Sequence, residues 1–309
     1  MALGIAIMPN PLGAIAALAR EAEDAGFAGI FMPEITNDGM LCCQLAAAAT
    51  HRIGLYTWIT NIHYRQPPLC AGAAAMLQQL SGGRFKLGLG VSHRPAMQAI
   101  GIDLGPNARD KLRSYILELR RLLGGEVKAF ALKPATPIPI YIGALALETA
   151  RMAGKVADGL ELYNCPPQRV RQMRGAAEQA AGTSRSVHVT TAVNAFVNED
   201  IEQAYESARR GLSGYATVPF YNRQFAKSGF AREAAAAMEA SKRRDRNAVR
   251  AALTHEMLDA VALIGPVSRC AERLQAYREA GTDLPVIVPI SANPEAETRR
   301  LIKAFGNYL

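Results

Sequence analysis

The sequence predicts an α/β fold of the closed (β/α)8, or TIM-barrel, class, and three observations predict it. Short apolar runs recur eight times along the 309 residues, segments with a helical apolar period separate them, and no repeat or low-complexity linker divides the chain. An open doubly wound sheet alternates in a similar way, so the count of eight decides between the two. A chain that is 50% apolar and 20% charged can bury one large core, and one domain over 1–309 is expected.

The first apolar run, 4–8, precedes a helical segment at 12–25. Runs at 29–32 and 54–60 alternate with helices at 39–50 and 67–80. Gly82 and Gly83 end the last of these, and a fourth strand follows at 85–91. Its alternation sends Phe85, Leu87, Leu89 and Val91 to one face and Lys86, Gly88, Gly90 and Ser92 to the other, leaving room over the glycines. Ser92, His93 and Arg94 then offer a hydroxyl, an imidazole that titrates near neutrality and a fixed positive charge, before Pro95 stops the strand. Helices at 109–123, 145–157, 166–181, 199–212 and 267–280 and strands at 138–143, 159–163, 187–197 and 284–290 complete the set. Two stretches exceed ordinary connection lengths and read as insertions, 96–108 after the fourth strand and 213–261 before the last barrel unit. The second holds Tyr215, Phe220, Tyr221 and Phe225 and then helical stretches at 231–246 and 247–261, as a lid or a dimer surface would.

The formal charge of +8 is scattered among acids, which suits an anionic small molecule as well as nucleic acid. With few aromatics to stack on bases, a nucleic-acid partner is not expected, and the basic run at 242–246 reads as a solvated helix face. Five cysteines without Cys-x-x-Cys spacing fit a reducing cytoplasm. No apolar run is long enough to span a membrane and the N-terminus has no basic leader, so a soluble cytoplasmic protein is expected.

In such a barrel, ligands sit at the C-terminal ends of the strands. The residues there are Pro9 and Asn10, Glu34, residues 57–61 with His63, Ser92 to Arg94, Gly143 to Leu145, Tyr163 and Asn164, and Asn194. Glu34 can hydrogen-bond a ring and its hydroxyls, or orient neighbouring backbone. Gly143-Ala144-Leu145 precedes a helix and can cradle a phosphate, or be a plain tight turn. Gly88-x-Gly90 is not a dinucleotide fingerprint, since it lies within a strand and His93 stands where a third glycine belongs. Of the five histidines, His93 alone is well placed as an acid/base. No metal-ligand spacing and no Gly-x-Ser-x-Gly elbow occur.

Leu80-Ser81-Gly82-Gly83-Arg84-Phe85 followed by Leu87-Gly88-Leu89-Gly90 resembles the signature of the luciferase-like flavin- and deazaflavin-dependent oxidoreductases. Ala25-Gly26-Phe27, Ile53-Gly54, Arg65-Gln66-Pro67-Pro68, residues 140–145, Ala157-Asp158-Gly159 and Ala280-Gly281 fall where that family has like motifs, so the resemblance covers nearly the whole chain. Ser92-His93-Arg94-Pro95 is similar to a subgroup that uses coenzyme F420. The resemblance implies a barrel, often a homodimer, that holds the cofactor ring against a bulge in the third strand made by a non-proline cis peptide, here Thr57-Trp58. It implies that Thr60 faces the ring's polar edge, that Glu34 is an acidic contact, that Gly88 and Gly90 clear room beside the bulge, that Ser92 contacts the cofactor, and that Arg94 and the Gly143-Ala144 turn favour the anionic tail. His93 stands where the sugar-phosphate dehydrogenase branch has a proton-donating carboxylate. Ile35 stands where that branch has its base histidine, which points away from sugar oxidation. The implied reaction is hydride transfer from reduced F420 to an electron-poor C=C or C=N of a small molecule, with His93 as proton donor. The alternative is an FMN-dependent monooxygenase, in which Arg94 binds the phosphate.

Overall fold

The computed structural model of the chain describes every residue except Met1, Pro9, Asn10, Thr36, Ala131 and Leu132, and at Ser184 the backbone alone. The candidates Pro9 and Asn10 thus lie outside the described residues. The strands are β1 Gly4–Ala6, β2 Gly29–Met32, β3 Gly54–Thr57, β4 Thr60–Asn61, β5 Phe85–Gly90, β6 Ile140–Gly143, β7 Gly159–Tyr163, β8 His188–Val197, β9 Ala262–Gly265 and β10 Leu284–Pro289. Each pairs with its neighbours in parallel, and β10 pairs with both β1 and β8, which closes an eight-stave TIM barrel. Eight staves arise from ten strands in two ways.

The third stave is broken. β3 and β4 lie in succession against β5, at Leu55–Phe85 and then at Thr60–Leu89, while Trp58 and Ile59 leave the ladder between them. The Trp58–Ile59 peptide is cis, one residue beyond the bond expected from the sequence. The other extra strand is β9, outside the barrel. β10 holds one edge of β8 as far as Ala195, β7 leaves the other edge after Ala192, and β9 occupies that edge from Asn194 to Val197. Its four residues continue the apolar helix His255–Val261 without a break, so no period of their own marks them as a strand.

The alternation in β5 works as expected. Phe85, Leu87 and Leu89 enter the core between barrel and helices, while Lys86, Gly88 and Gly90 face inward. Inside, Tyr56 stacks on Phe31 at 4.2 Å and meets Tyr141 edge-on at 5.7 Å, joined by Ala192, Val286 and Val288. These rings fill the lower barrel and leave the chemistry to its rim.

The eight helices expected between the strands all form, with ends shifted by a few residues, whereas the stretch 247–261 forms as two helices, Arg246–Ala251 and His255–Val261. Asp38 caps helix Gly39–Ala49 by accepting from the Met40 and Leu41 amides, a contact worth about 1 kcal/mol. The Ser81-Gly82-Gly83-Arg84 motif is structural: Gly82 and Gly83 adopt φ of +63° and +88°, which a side chain would resist. The turn they make aims Arg84 at carbonyls of Ile53, Thr50 and Ser81. The guanidinium thereby ties the C-terminal ends of helices Gly39–Ala49 and Pro67–Leu80 to the start of β3.

Three helices went unread in the sequence, Arg94–Ala99, Pro219–Lys227 and Pro294–Gly306. The insertion is wholly helical: Ile201–Thr217 runs past Leu212, and Pro219–Lys227, Ala231–Lys242, Arg246–Ala251 and His255–Val261 follow. These helices, with Phe196 of β8 and Ile264 of β9, pack a second core around Leu212, Phe225, Leu253 and Leu258. Among the described residues, no helix is long and apolar enough to cross a membrane.

Candidate active site

The broken third stave shapes the barrel mouth. Thr57 closes the gap in the ladder with its side chain: Oγ1 donates to the Gly88 carbonyl and accepts from the Gly88 amide, both at 3.0 Å. The Trp58 amide donates to Met32 at 2.8 Å. Beyond the bulge, Glu34 takes over. One carboxylate oxygen accepts from the Asn61 amide at 2.9 Å and the other from the Gly39 amide at 3.2 Å, with Arg65 at 4.0 Å. Burial raises the Glu34 pKa, and the Asn61 amide and Arg65 work against that rise. Both oxygens hold backbone, so of the two roles open to Glu34 the geometry fits the orienting one.

The bulge throws Ile59 over the mouth. A Cβ on Gly90 would stand 2.7 Å from Ile59 Cδ1, and one on Gly143 would stand 3.1 Å from Ile59 Cγ2. The space that the glycines leave is therefore taken by this side chain. Ile59 and Trp58 are half-buried, whereas Thr60, expected to face a ring's polar edge, is fully buried with its hydroxyl unpartnered among the described residues. The half-buried Ile59, and not Thr60, lies over Gly90 and Gly143.

Around this platform runs a belt of rings. Trp58 meets Tyr163 edge-on at 4.9 Å, and Tyr163 meets Tyr215 at 5.4 Å and Tyr221 at 5.8 Å. Tyr221 lies 4.3 Å from Phe220, which faces the His93 ring at 5.3 Å. The Tyr163 hydroxyl donates within a pair formed by Asn194 Oδ1 at 2.9 Å and the Tyr215 hydroxyl at 2.8 Å, and burial raises its pKa. The buried Gln224 of helix Pro219–Lys227 donates to the Tyr163 carbonyl at 2.8 Å and the Asn164 carbonyl at 2.5 Å, fastening that helix to the end of β7.

The residues after β5 divide. Ser92 turns the chain with φ of +61° and is exposed. His93 caps helix Arg94–Ala99, its Nδ1 accepting from the Ala96 amide at 3.4 Å. Burial lowers its pKa, so the ring is neutral at pH 7 with its proton on Nε2. Arg94 is exposed and bound to its own loop, donating to the Gly105 carbonyl at 2.8 Å and lying 3.4 Å from Asp103. The turn after β6 is likewise partly committed. The Ala144 amide donates to the Glu161 carbonyl at 3.1 Å, Leu145 is half-buried, and helix Leu147–Val156 starts two residues later without a side-chain cap.

The structure thus gathers Trp58, Gly90, Gly143 and His93 at one mouth, sets Thr57 and Glu34 behind it as supports, and turns Arg94 outward. Glu161 was missed in the sequence, and Ile59, within the candidate stretch 57–61, was given no role of its own. Ile59 looks like an ordinary strand residue there. Glu161 carried a signal, since a carboxylate at the inward position of Gly-Leu-Glu-Leu-Tyr breaks an apolar strand.

Over residues 3–284 the sequence matches the luciferase-like monooxygenase family. It is 27% identical to the 5,10-methylenetetrahydromethanopterin reductase of Methanolobus tindarius, over 99% of this chain and 98% of that one. It is 24% identical to a putative coenzyme F420-dependent oxidoreductase of Mycobacterium tuberculosis, over 93% of this chain and 94% of that one. The coenzyme F420-dependent tetrahydromethanopterin reductase structure from Methanopyrus kandleri superposes with a TM-score of 0.79 at 21% identity, covering 98% of this chain and 97% of that one. An F420-dependent secondary alcohol dehydrogenase, solved with an F420-acetone adduct, superposes with a TM-score of 0.77 at 17% identity, covering 100% and 98%. The last two likenesses establish shared fold.

Proposed function

Because the chain belongs to the luciferase-like monooxygenase family and is an oxidoreductase of that kind, we propose that it reduces an electron-poor C=C or C=N of a small molecule with reduced coenzyme F420. The observation that carries this reading is the Ile59 platform over Gly90 and Gly143, a flat apolar backing framed by rings at the catalytic end of the barrel. Its shape fits a planar ring system, and the Mycobacterium tuberculosis relative named as a putative coenzyme F420-dependent oxidoreductase supports the choice of cofactor. When bound, the reduced deazaflavin supplies hydride.

The protein's part is alignment and water exclusion. Ile59 and Trp58 would back the ring of a bound cofactor, and the belt from Tyr163 to Phe220 would wall off solvent. His93 Nε2 holds the proton for the reduced carbon or nitrogen. Arg94, engaged with Asp103 and the Gly105 carbonyl, is turned away from an anionic tail of F420 and from an FMN phosphate alike, so the choice of cofactor rests on the relatives.

Anaerobic titration with reduced F420 and reduced FMN tests the choice. The wild type is expected to bind F420, and Ile59→Ala to bind it about tenfold more weakly, the loss of roughly 1.4 kcal/mol of apolar contact. Tight FMN binding with no F420 affinity would overturn the reading.

A homodimer is also proposed. Leu41 and Leu45 on helix Gly39–Ala49, and Leu69, Met76 and Leu80 on helix Pro67–Leu80, are exposed on two helices that pack together, and a second copy would cover them. Sedimentation should give a dimer mass, and Leu69→Glu with Met76→Glu a monomer.

A further inference from the structure

We propose that Glu161 is a positioning residue that acts as an uncharged acid, its carboxyl proton binding the Thr57 carbonyl and so fixing the backbone that enters the Ile59 bulge. The inference rests on the reading above for the part played by Ile59, and it adds a residue that the reading does not use.

Glu161 is the middle residue of β7. Leu160 and Leu162 on either side enter the outer core, so Glu161 faces the barrel interior, where it is 2% exposed. Among the described residues neither of its carboxyl oxygens has a hydrogen-bond partner. An orphaned buried carboxyl is rare enough to require a cause. The residue across from it supplies one. A Cβ on Gly88 would lie 2.2 Å from Glu161 Oε2 and 2.1 Å from the Thr57 carbonyl oxygen, so both oxygens converge on the space that this glycine leaves. A carbonyl only accepts, and an ionised carboxylate only accepts. Their meeting makes a bond only if the carboxyl carries the proton.

The surroundings agree. Tyr56 on β3, Tyr141 on β6 and Cys43 on helix Gly39–Ala49 are the titratable groups near it, and burial raises the pKa of each. The inward cation of β5, Lys86, donates to the Arg84 carbonyl and lies over the Tyr56 ring, and it contributes nothing to the Glu161 shift. With no counter-charge acting on it among the described residues, burial holds the Glu161 carboxyl well above the usual carboxylate range. Thr57 is then gripped twice, its hydroxyl by Gly88 and its carbonyl by Glu161.

Thermal unfolding of the protein without cofactor, wild type against Glu161→Gln, tests the protonation. In the unfolded chain glutamate ionises near pH 4.3, while in the fold it stays protonated, so wild-type stability falls as pH rises through that interval. Glutamine, uncharged in both states and still a donor, escapes this loss. The Tm advantage of Glu161→Gln should set in near pH 4 and grow from pH 5 to pH 8, the folding equilibrium constants diverging by up to about tenfold per pH unit. A difference that stays flat from pH 5 to pH 8 would overturn the proposal.

The second arm concerns the bulge. At pH 7 Glu161→Gln should bind reduced F420 within about twofold of wild type, and Glu161→Leu, of similar volume but without a donor, about tenfold more weakly. Equal binding by the leucine variant would remove the clamp. Should Glu161→Leu not fold, the pH series still decides. If wild type binds no F420 at all, the functional reading fails, while the pH series, run without cofactor, still reports on Glu161.

Discussion

Gly88→Ala is expected to cost the fold about 3 kcal/mol or more and to lower Tm by roughly 5–10 °C in thermal unfolding. The added methyl would stand 2.1 Å from the Thr57 carbonyl oxygen and 2.2 Å from Glu161 Oε2. The first of these is backbone, on a residue bonded through its hydroxyl to Gly88 itself, so neither side can yield without breaking the link between β3 and β5. Removing the carboxyl as well, in Gly88→Ala with Glu161→Ala, should leave most of the loss in place, because the carbonyl remains. Gly90→Ala gives the contrast. Its methyl meets only the end of the Ile59 side chain, at 2.7 Å, which can swing aside at lower cost to the fold. A Tm for Gly88→Ala within a degree of wild type would show that the two oxygens do not crowd this position.

His93→Ala is expected to lower kcat about 100-fold while leaving cofactor affinity near wild type, which is the range of a lost general acid. The ring has one free nitrogen, since Nδ1 is held by the Ala96 amide, and Phe220 fixes its tilt. The pH dependence follows from its lowered pKa. Above the ordinary value of 6.5 the ring is neutral and a poor donor; below its depressed pKa it becomes an imidazolium and a strong one. Wild-type kcat should therefore rise as pH falls through the acid range, and His93→Gln should flatten the profile. Unchanged turnover by His93→Ala would end its role as donor.

What could be read in advance follows from which interactions are periodic. The staves, and the inward glycines of β5, announce themselves because alternation repeats along a strand. The bulge does not, because a departure from the ladder has no period. Hence the cis bond was expected at Thr57-Trp58 and lies at Trp58-Ile59, and Ile59 lies over the mouth while Thr60 is buried. Gly143 illustrates a second limit. In sequence it opens a turn that suits a phosphate, and in space it is the hollow beneath Ile59, 84 residues away along the chain. Arg94 illustrates a third, since a charge beside a strand end says nothing of a nearer acid in its own loop, here Asp103.

The second core has a consequence for how such a molecule can change. Helices 201–261 bury their own apolar faces around Phe225 and Leu258, and they meet the barrel rim through Gln224, Tyr215 and the stray strand β9. Substitutions at Phe220, which lies outside both cores, can therefore reshape what the mouth admits while the two cores keep their contents. Ligand preference is free to drift on one side of the rim, and the bulge, supported from the opposite side by Thr57 and Glu34, need not drift with it.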